Sequence, residues 1–219
     1  MPGLFITFEG TEGSGKSTQI TLLAERLRGE GRRVRCLREP GGTPIGEEIR
    51  HTLKHSKDNH AMTAEAELLL MNASRAQLVR EVIRPALAAG EILLCDRFYD
   101  STTAYQGYGR QLDLERVRSI IDFAVGDTRP DLTLLLLVSP EVSESRRLAR
   151  QSTMPFMRDR IEEADRGFFE RVARGYEAIA GAEPGRIQAI KATCSVAETR
   201  DAIWGRVASL LAAREDGLE

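Results

Sequence analysis

Residues 5 to 18 read FITFEGTEGSGKST: an apolar run, then a glycine-punctuated loop closing on Lys-Ser-Thr. The loop fits G-x-x-x-x-G-K-[ST] without a gap through Gly10, Gly15, Lys16 and Ser17. The setting makes the motif credible. Residues 4–8 are strand-like, and beyond the loop Ile20, Leu23, Ala24 and Leu27 recur at helical spacing until Gly29 and Gly31 stop the turn. Glycines here let successive backbone N–H groups turn toward one anion without obstruction by Cβ, and the following helix adds its positive end. Lys16 supplies a point charge for β- and γ-phosphates and Ser17 a hydroxyl for Mg²⁺, while Thr11, Glu12, Gly13, Ser14 and Thr18 complete the cradle. An ordinary glycine-rich turn is the competing explanation, and the flanking strand and helix weigh against it. The motif is silent about where the phosphate goes.

Outward from this loop, short apolar runs at residues 4–8, 34–37, 92–95, 132–138 and 187–190 alternate with amphipathic stretches. Three of the runs are apolar nearly throughout, as strands covered on both faces are. Helical spacing recurs in Leu114, Val117, Ile121 and Ala124; in Ile161, Ala164, Phe168 and Val172; and in Ile203, Val207 and Leu210. The alternation predicts an α/β fold: a parallel sheet with helices on both faces. Such sheets bind ligands beyond the C-terminal ends of their strands.

The remaining motifs fall at such ends. The third run closes on ILLCDRFYDS, where Asp96 can reach a Mg²⁺ shell and Arg97 offers a bidentate fork for a second phosphate. Structural ion pairing of the two is the plainer alternative. The second run leads into REPGGTPIG, with Arg38 and Glu39 at the strand end and a forced turn at Pro40-Gly41-Gly42. Thr43 and Pro44 suit the N-cap and first position of the next helix. Arg75, in NASRAQLV, sits on a helix where an arginine is usually solvated or paired. Residues 150–159, RQSTMPFMRD, suggest a flap; Arg146, Arg147, Arg150, Arg158 and Arg160 in and around it form either a solvated basic patch or a group able to close on a triphosphate. His51, His55 and His60 lie in or near a polar loop without a carboxylate at metal-ligand spacing.

Bulk composition narrows the class. At 219 residues, one α/β domain without disulfides or structural metal is expected. The net charge of −2 gives no bias toward nucleic acid or an anionic membrane. No apolar stretch reaches the ~20 residues that span a bilayer, and Glu9 and Glu12 come too early for a signal segment. A soluble, cytoplasmic protein is expected. Of the three cysteines, Cys36 and Cys95 fall in apolar runs, and the set fits buried thiols better than bridges.

Together FEGTEGSGKST, REPGGT, SRAQLV, CDRFYDSTTAYQG, RPDLTLLL and DRIE, in that order along residues 5 to about 165, resemble the thymidylate kinases among the P-loop nucleoside monophosphate kinases. The resemblance implies a three-layer fold on a five-stranded parallel sheet, one domain over residues 1–219 with a flap at about 146–160, and a homodimer. It implies ATP, Mg²⁺ and dTMP as ligands, with transfer of the γ-phosphate to dTMP. By the same resemblance Arg38, Arg75 and Arg97 become site candidates: Arg97 is among the arginines that hold the dTMP phosphate, and Arg75 hydrogen-bonds the thymine. Thr102, Tyr105 and Gln106 line the nucleoside pocket, Tyr105 filling the space of a ribose 2′-hydroxyl, and Glu12 faces the 3′-hydroxyl. Glu39 and Pro40 lie near the acceptor phosphate, and Met71 stands where members often stack a phenylalanine on the base. The phosphate loop lacks arginine, which points to the bacterial arrangement with Arg150 as catalytic flap arginine, Arg146 and Arg147 near ATP, and Arg160 as a further candidate. A P-loop ATPase or GTPase switch, a different nucleoside monophosphate acceptor, and nucleotide binding without turnover remain as alternatives.

Overall fold

The computed structural model describes residues 3–56, 58–139, 141–143, 145–146, 149, 160–161 and 165–216. Five strands, β1 (Leu4–Glu9), β2 (Val34–Arg38), β3 (Ile92–Asp96), β4 (Leu132–Leu137) and β5 (Ile187–Lys191), form one parallel sheet in the order β2-β3-β1-β4-β5. The strands that read as almost wholly apolar, β1, β3 and β4, are the three central ones. All six residues of β1 are buried. The two edge strands are mixed in character, and β2 leaves Arg35 and Cys36 exposed. Cys36 and Cys194 are therefore surface thiols, contrary to the expectation from composition, and only Cys95, on central β3, is buried.

Alternation along β1 feeds two cores. Leu4, Ile6 and Phe8 pack with Leu23 and Leu27 of α1 (Lys16–Gly29) and with Ile203 and Val207 of α8 (Val196–Asp216). Phe5, from the opposite face, joins Leu78 of α3 (Ala64–Leu78) and Val117 and Ile121 of α6 (Leu114–Val125). A third cluster gathers Tyr105, Leu135, Phe168, Val172 and Tyr176 beneath α7 (Arg166–Ala182). The helix α2 (Pro44–Lys54) starts as its sequence foretells, with the Thr43 hydroxyl accepting from Gly46 N at 2.9 Å and Pro44 in the first turn. Helix α7 starts later than its apolar period suggests: Asp165 accepts from Phe168 N at 2.9 Å as the N-cap, which leaves Ile161 in a turn. Ala164 lies outside the described residues. After α3 the chain passes through a π-helical stretch, Val79–Ile83, into α4 (Arg84–Ala88) and β3. Past β3 it makes the short α5 (Tyr99–Thr102) and the π-helical Thr103–Gly109.

Candidate active site

The parallel register sets Phe8 of β1 beside Asp96 of β3, and so brings the phosphate loop next to the acidic strand end. Gly10 leaves β1 at φ +134, and a Cβ there would lie 2.4 Å from the Leu136 carbonyl oxygen of β4, so only glycine lets the loop pass this close. Lys16 folds back into the loop, its Nζ donating to Gly10 O at 3.1 Å, Thr11 O at 3.0 Å and Ser14 Oγ at 3.4 Å. Burial, reinforced by Arg97, pulls its pKa down to about 8. Ser17 Oγ donates to Asp96 Oδ2 at 3.0 Å, joining the two residues expected on the metal side. Ser143 Oγ donates to Glu12 O at 2.6 Å, and Arg146 bridges Gly13 O at 3.2 Å to Ala192 O at 3.3 Å. Arg146 thus reaches the phosphate loop. Arg147, Arg150 and Arg158 lie outside the described residues.

Arg97 is the hinge of the site. It follows β3 at φ +69, unusual for a residue with a Cβ, and its N–H donates to Phe8 O at 2.9 Å. The guanidinium is held by four groups: Nη1 donates to Ser101 Oγ at 3.0 Å and Tyr176 OH at 3.1 Å, Nη2 to Glu12 Oε1 at 3.0 Å and Tyr105 OH at 3.2 Å. Burial alone would raise the Glu12 pKa, but Arg97, Lys16 and Lys54 together hold it well below the usual carboxylate range. Beneath Arg97 the fully buried Glu9 accepts from Phe98 N at 2.8 Å, Ser101 N at 3.2 Å, Ser101 Oγ at 2.5 Å and Tyr176 OH at 2.9 Å. Burial, with Asp100 nearby, still pushes the Glu9 pKa up against those donors and Arg97.

Arg75, only 2% exposed, is both paired and part of the pocket. Its Nε donates to Glu39 Oε2 at 2.8 Å, Nη1 to Asn72 Oδ1 at 2.8 Å and Nη2 to Phe98 O at 3.3 Å. Burial drives the Glu39 pKa up to about 7 in spite of Arg75. Glu39 Oε1 is buried without a partner among the described residues.

These groups surround a cavity of about 580 Å³ at the C-terminal edge of the sheet. Glu12, Gly13, Gly15, Lys16, Ser17 and Thr18 line one end, and Asp96 and Arg97 the middle. Glu39, Pro40, Met71, Arg75, Thr102, Tyr105 and Gln106 line the rest, so every residue expected near the acceptor borders it. Gly10, Thr11 and Ser14 shape the loop from behind. Arg160 pairs with the buried Glu67 and donates to Met62 O at 3.2 Å.

Several lining groups were not singled out from the motifs. Arg50 and Lys54, one turn apart on α2, face the cavity, with Arg50 Nη1 donating to Pro40 O at 2.8 Å. Their i, i+4 spacing was visible, but the direction of that helix face was not. His55, exposed beyond the end of α2, also borders the cavity, and Phe98, Ser101 and Phe169 add to the wall. Nothing local marks Phe169 or Tyr176, which reach the site only because α7 packs on the π-helical segment.

Comparison with known proteins agrees with this arrangement. Residues 8–203 match the family model described as thymidylate kinase. The thymidylate kinase of Chlorobium luteolum is 49% identical over 199 residues, covering 89% of this chain and 92% of the relative. That of Pseudomonas syringae pv. tomato is 49% identical over 200 residues, covering 91% and 92% respectively. The crystal structure of thymidylate kinase from Ehrlichia chaffeensis superposes with a TM-score of 0.75 at 32% identity, covering 94% of this chain and 99% of that one. The chain belongs to the thymidylate kinase family.

Proposed function

We infer that the cavity seats ATP against the phosphate loop and dTMP against Arg75, with Arg97 between them. The reaction is that of the family: ATP gives its γ-phosphate to dTMP, yielding ADP and dTDP. The observation that carries the assignment of roles is the four-way grip on Arg97, which fixes one guanidinium between Lys16 on one side and the Arg75 wall on the other. Phosphoryl transfer needs little covalent help from the protein; it needs two anionic groups aligned and their charge screened. Lys16 serves the ATP phosphates and Arg97 the acceptor phosphate, with Arg38, Arg50 and Lys54 adding positive charge around the same cavity. Glu12, kept ionised by its cationic neighbours, offers an acceptor to the sugar 3′-hydroxyl. Tyr105, tethered to Arg97, fills the space of a 2′-hydroxyl. Arg150 is carried over from the family pattern as the arginine that closes on the transferring group, in a flap at about 146–160 of a single domain.

The metal side fits a small hard cation. Ser17 Oγ and Asp96 Oδ2 are neighbouring oxygen donors, which suits Mg²⁺, an ion that fills much of its shell with water and phosphate oxygens. When bound, Mg²⁺ neutralises charge on the β- and γ-phosphates.

A homodimer is proposed as well. Ala66, Leu69, Ala73 and Ala76 follow one another along α3, Leu69 is 56% exposed, and Phe123 of the adjoining α6 is 84% exposed. Arg80, just beyond α3, ties the two segments together, its Nη2 donating to Phe123 O at 3.4 Å. A second copy is the occupant the family pattern supplies, and Phe123→Glu is expected to yield monomers in sedimentation. No helix among the described residues is long and apolar enough to cross a membrane.

The test is ADP release from ATP·Mg²⁺ with dTMP, dUMP, dCMP, dGMP, AMP or no acceptor, for wild type and Arg150→Ala. Turnover dependent on dTMP and sharply reduced in the variant is expected. An undiminished variant moves the catalytic role to another flap arginine, and equal ADP release without acceptor refutes the kinase assignment.

A further inference from the structure

Glu67 of α3 is fully buried beside the cavity, yet none of the roles above uses it. Its Oε1 accepts from Gln106 Nε2 at 2.7 Å, and the carboxylate takes Arg110 Nε at 3.2 Å and Nη2 at 3.1 Å. Arg160 pairs with it as well. A carboxylate between two guanidinium groups presents acceptors and no donor, so a primary amide can meet it only nitrogen-first. Gln106 is 2% exposed and lines the cavity, and its Oε1 is neither bonded to a protein group nor sealed away among the described residues. The oxygen limb of the amide therefore belongs to the pocket.

We propose that Glu67 is a positioning residue for base selection. By taking Gln106 Nε2 it leaves Gln106 Oε1 as a fixed acceptor in the nucleoside pocket. Thymine and uracil carry N3–H, a donor that matches this acceptor. Cytosine carries a bare N3, and the contact becomes acceptor against acceptor. Arg75, a donor on the same wall, suits a ring carbonyl and opposes the cytosine amino group. A glutamine at position 67 carries a donor as well as an acceptor, and with Arg110 and Arg160 claiming its oxygen, its amide nitrogen is left to meet Gln106 Oε1. The Gln106 amide would then turn Nε2 toward the pocket, and the N3 component of selection would vanish. The inference rests on the proposal that dTMP occupies this end of the cavity.

The experiment is kcat/KM for dTMP, dUMP and dCMP with the full chain, comparing wild type, Glu67→Gln and Arg110→Gln. Ratios between acceptors do not depend on the fraction of folded enzyme. For Glu67→Gln the dTMP/dCMP ratio is expected to fall about tenfold, the scale of one net hydrogen bond, while dTMP/dUMP stays unchanged because both bases carry N3–H. Arg110→Gln, which keeps the acceptor-only carboxylate, is expected to lower thermal stability and leave both ratios alone. If Glu67→Gln does not fold, the charge-balanced double variant Glu67→Gln/Arg110→Gln is read the same way. A dTMP/dCMP ratio within about twofold of wild type, or both ratios falling together, overturns the inference. A wild type that turns over ATP but ignores dTMP refutes the placement of the nucleoside, and the inference with it.

Discussion

Replacing Tyr176 by phenylalanine removes one oxygen from the centre of the site and leaves the ring, and the core it packs in, unchanged. That hydroxyl donates to Glu9 Oε2 at 2.9 Å and accepts from Arg97 Nη1 at 3.1 Å. The Ser101 hydroxyl, 3.0 Å away, spends its own proton on Glu9, so that third contact carries little. Glu9 keeps three other donors and Arg97 three other partners, and neither charge is orphaned. The cost is then the net value of two charge-assisted bonds, together about 3–6 kcal/mol. For a domain of this size that corresponds to a fall in Tm of roughly 6–24 °C. Arg97 also loses one of four restraints, and the KM for dTMP is expected to rise by up to about tenfold with a smaller change in kcat. Thermal unfolding by circular dichroism and dTMP-dependent ADP formation read the two effects separately. Tyr105→Phe is the control: it releases Arg97 without touching Glu9, and is expected to raise KM with a smaller loss of Tm. A Tyr176→Phe protein with Tm within about 1 °C and an unaltered KM would refute the network.

Three other outcomes follow from the same geometry. Burial raises the Glu39 pKa from its ordinary 4.5 to about 7, so the folded chain holds that proton longer than the unfolded one; stability is expected to fall as pH rises from 4.5 to 7, by at most about 3 kcal/mol, and urea unfolding of Glu39→Gln to lack that slope. Because Lys16 has its pKa drawn down to about 8, ATP binding at pH 8 is expected to take up as much as about half a proton, and almost none at pH 6, as measured by titration calorimetry in buffers of differing protonation enthalpy; Lys16→Met abolishes the uptake. Asp96→Asn, which removes the carboxylate beside Ser17, is expected to raise the Mg²⁺ concentration for half-maximal activity by about tenfold or more, seen in a metal titration at saturating ATP.

Much of the phosphate end of the site is readable residue by residue, because local stereochemistry controls it. Gly10 and Gly15 adopt positive φ values that glycine tolerates, Thr43 caps through a hydroxyl three residues from its donor, and Ser17 falls two residues beyond Gly15 wherever such a loop opens a helix. The acceptor end is a different matter. Chemistry alone leaves Arg75 paired or solvated and Arg97 as one half of a possible ion pair; the family pattern suggested their roles, and the fold brings both to one cavity with Glu39, Met71 and Gln106. Arg160 looked like one more flap cation and instead pairs with Glu67, more than ninety positions earlier in the chain.

By itself the sequence determined the phosphate loop, the alternation of strands and helices, the cap of α2 and the strand-end placement of the motifs. Each depends on backbone dihedrals or on neighbours within a few positions. Only the tertiary structure decided that Cys36 lies on an edge strand, that α2 turns Arg50 and Lys54 into the cavity, that Tyr176 of α7 closes on Glu9 and Arg97, and that Glu67 holds the Gln106 amide. Those outcomes depend on strand order and on helix packing between segments as many as 167 residues apart. Periodicity specifies which face of an element is apolar, but not what the opposite face will meet.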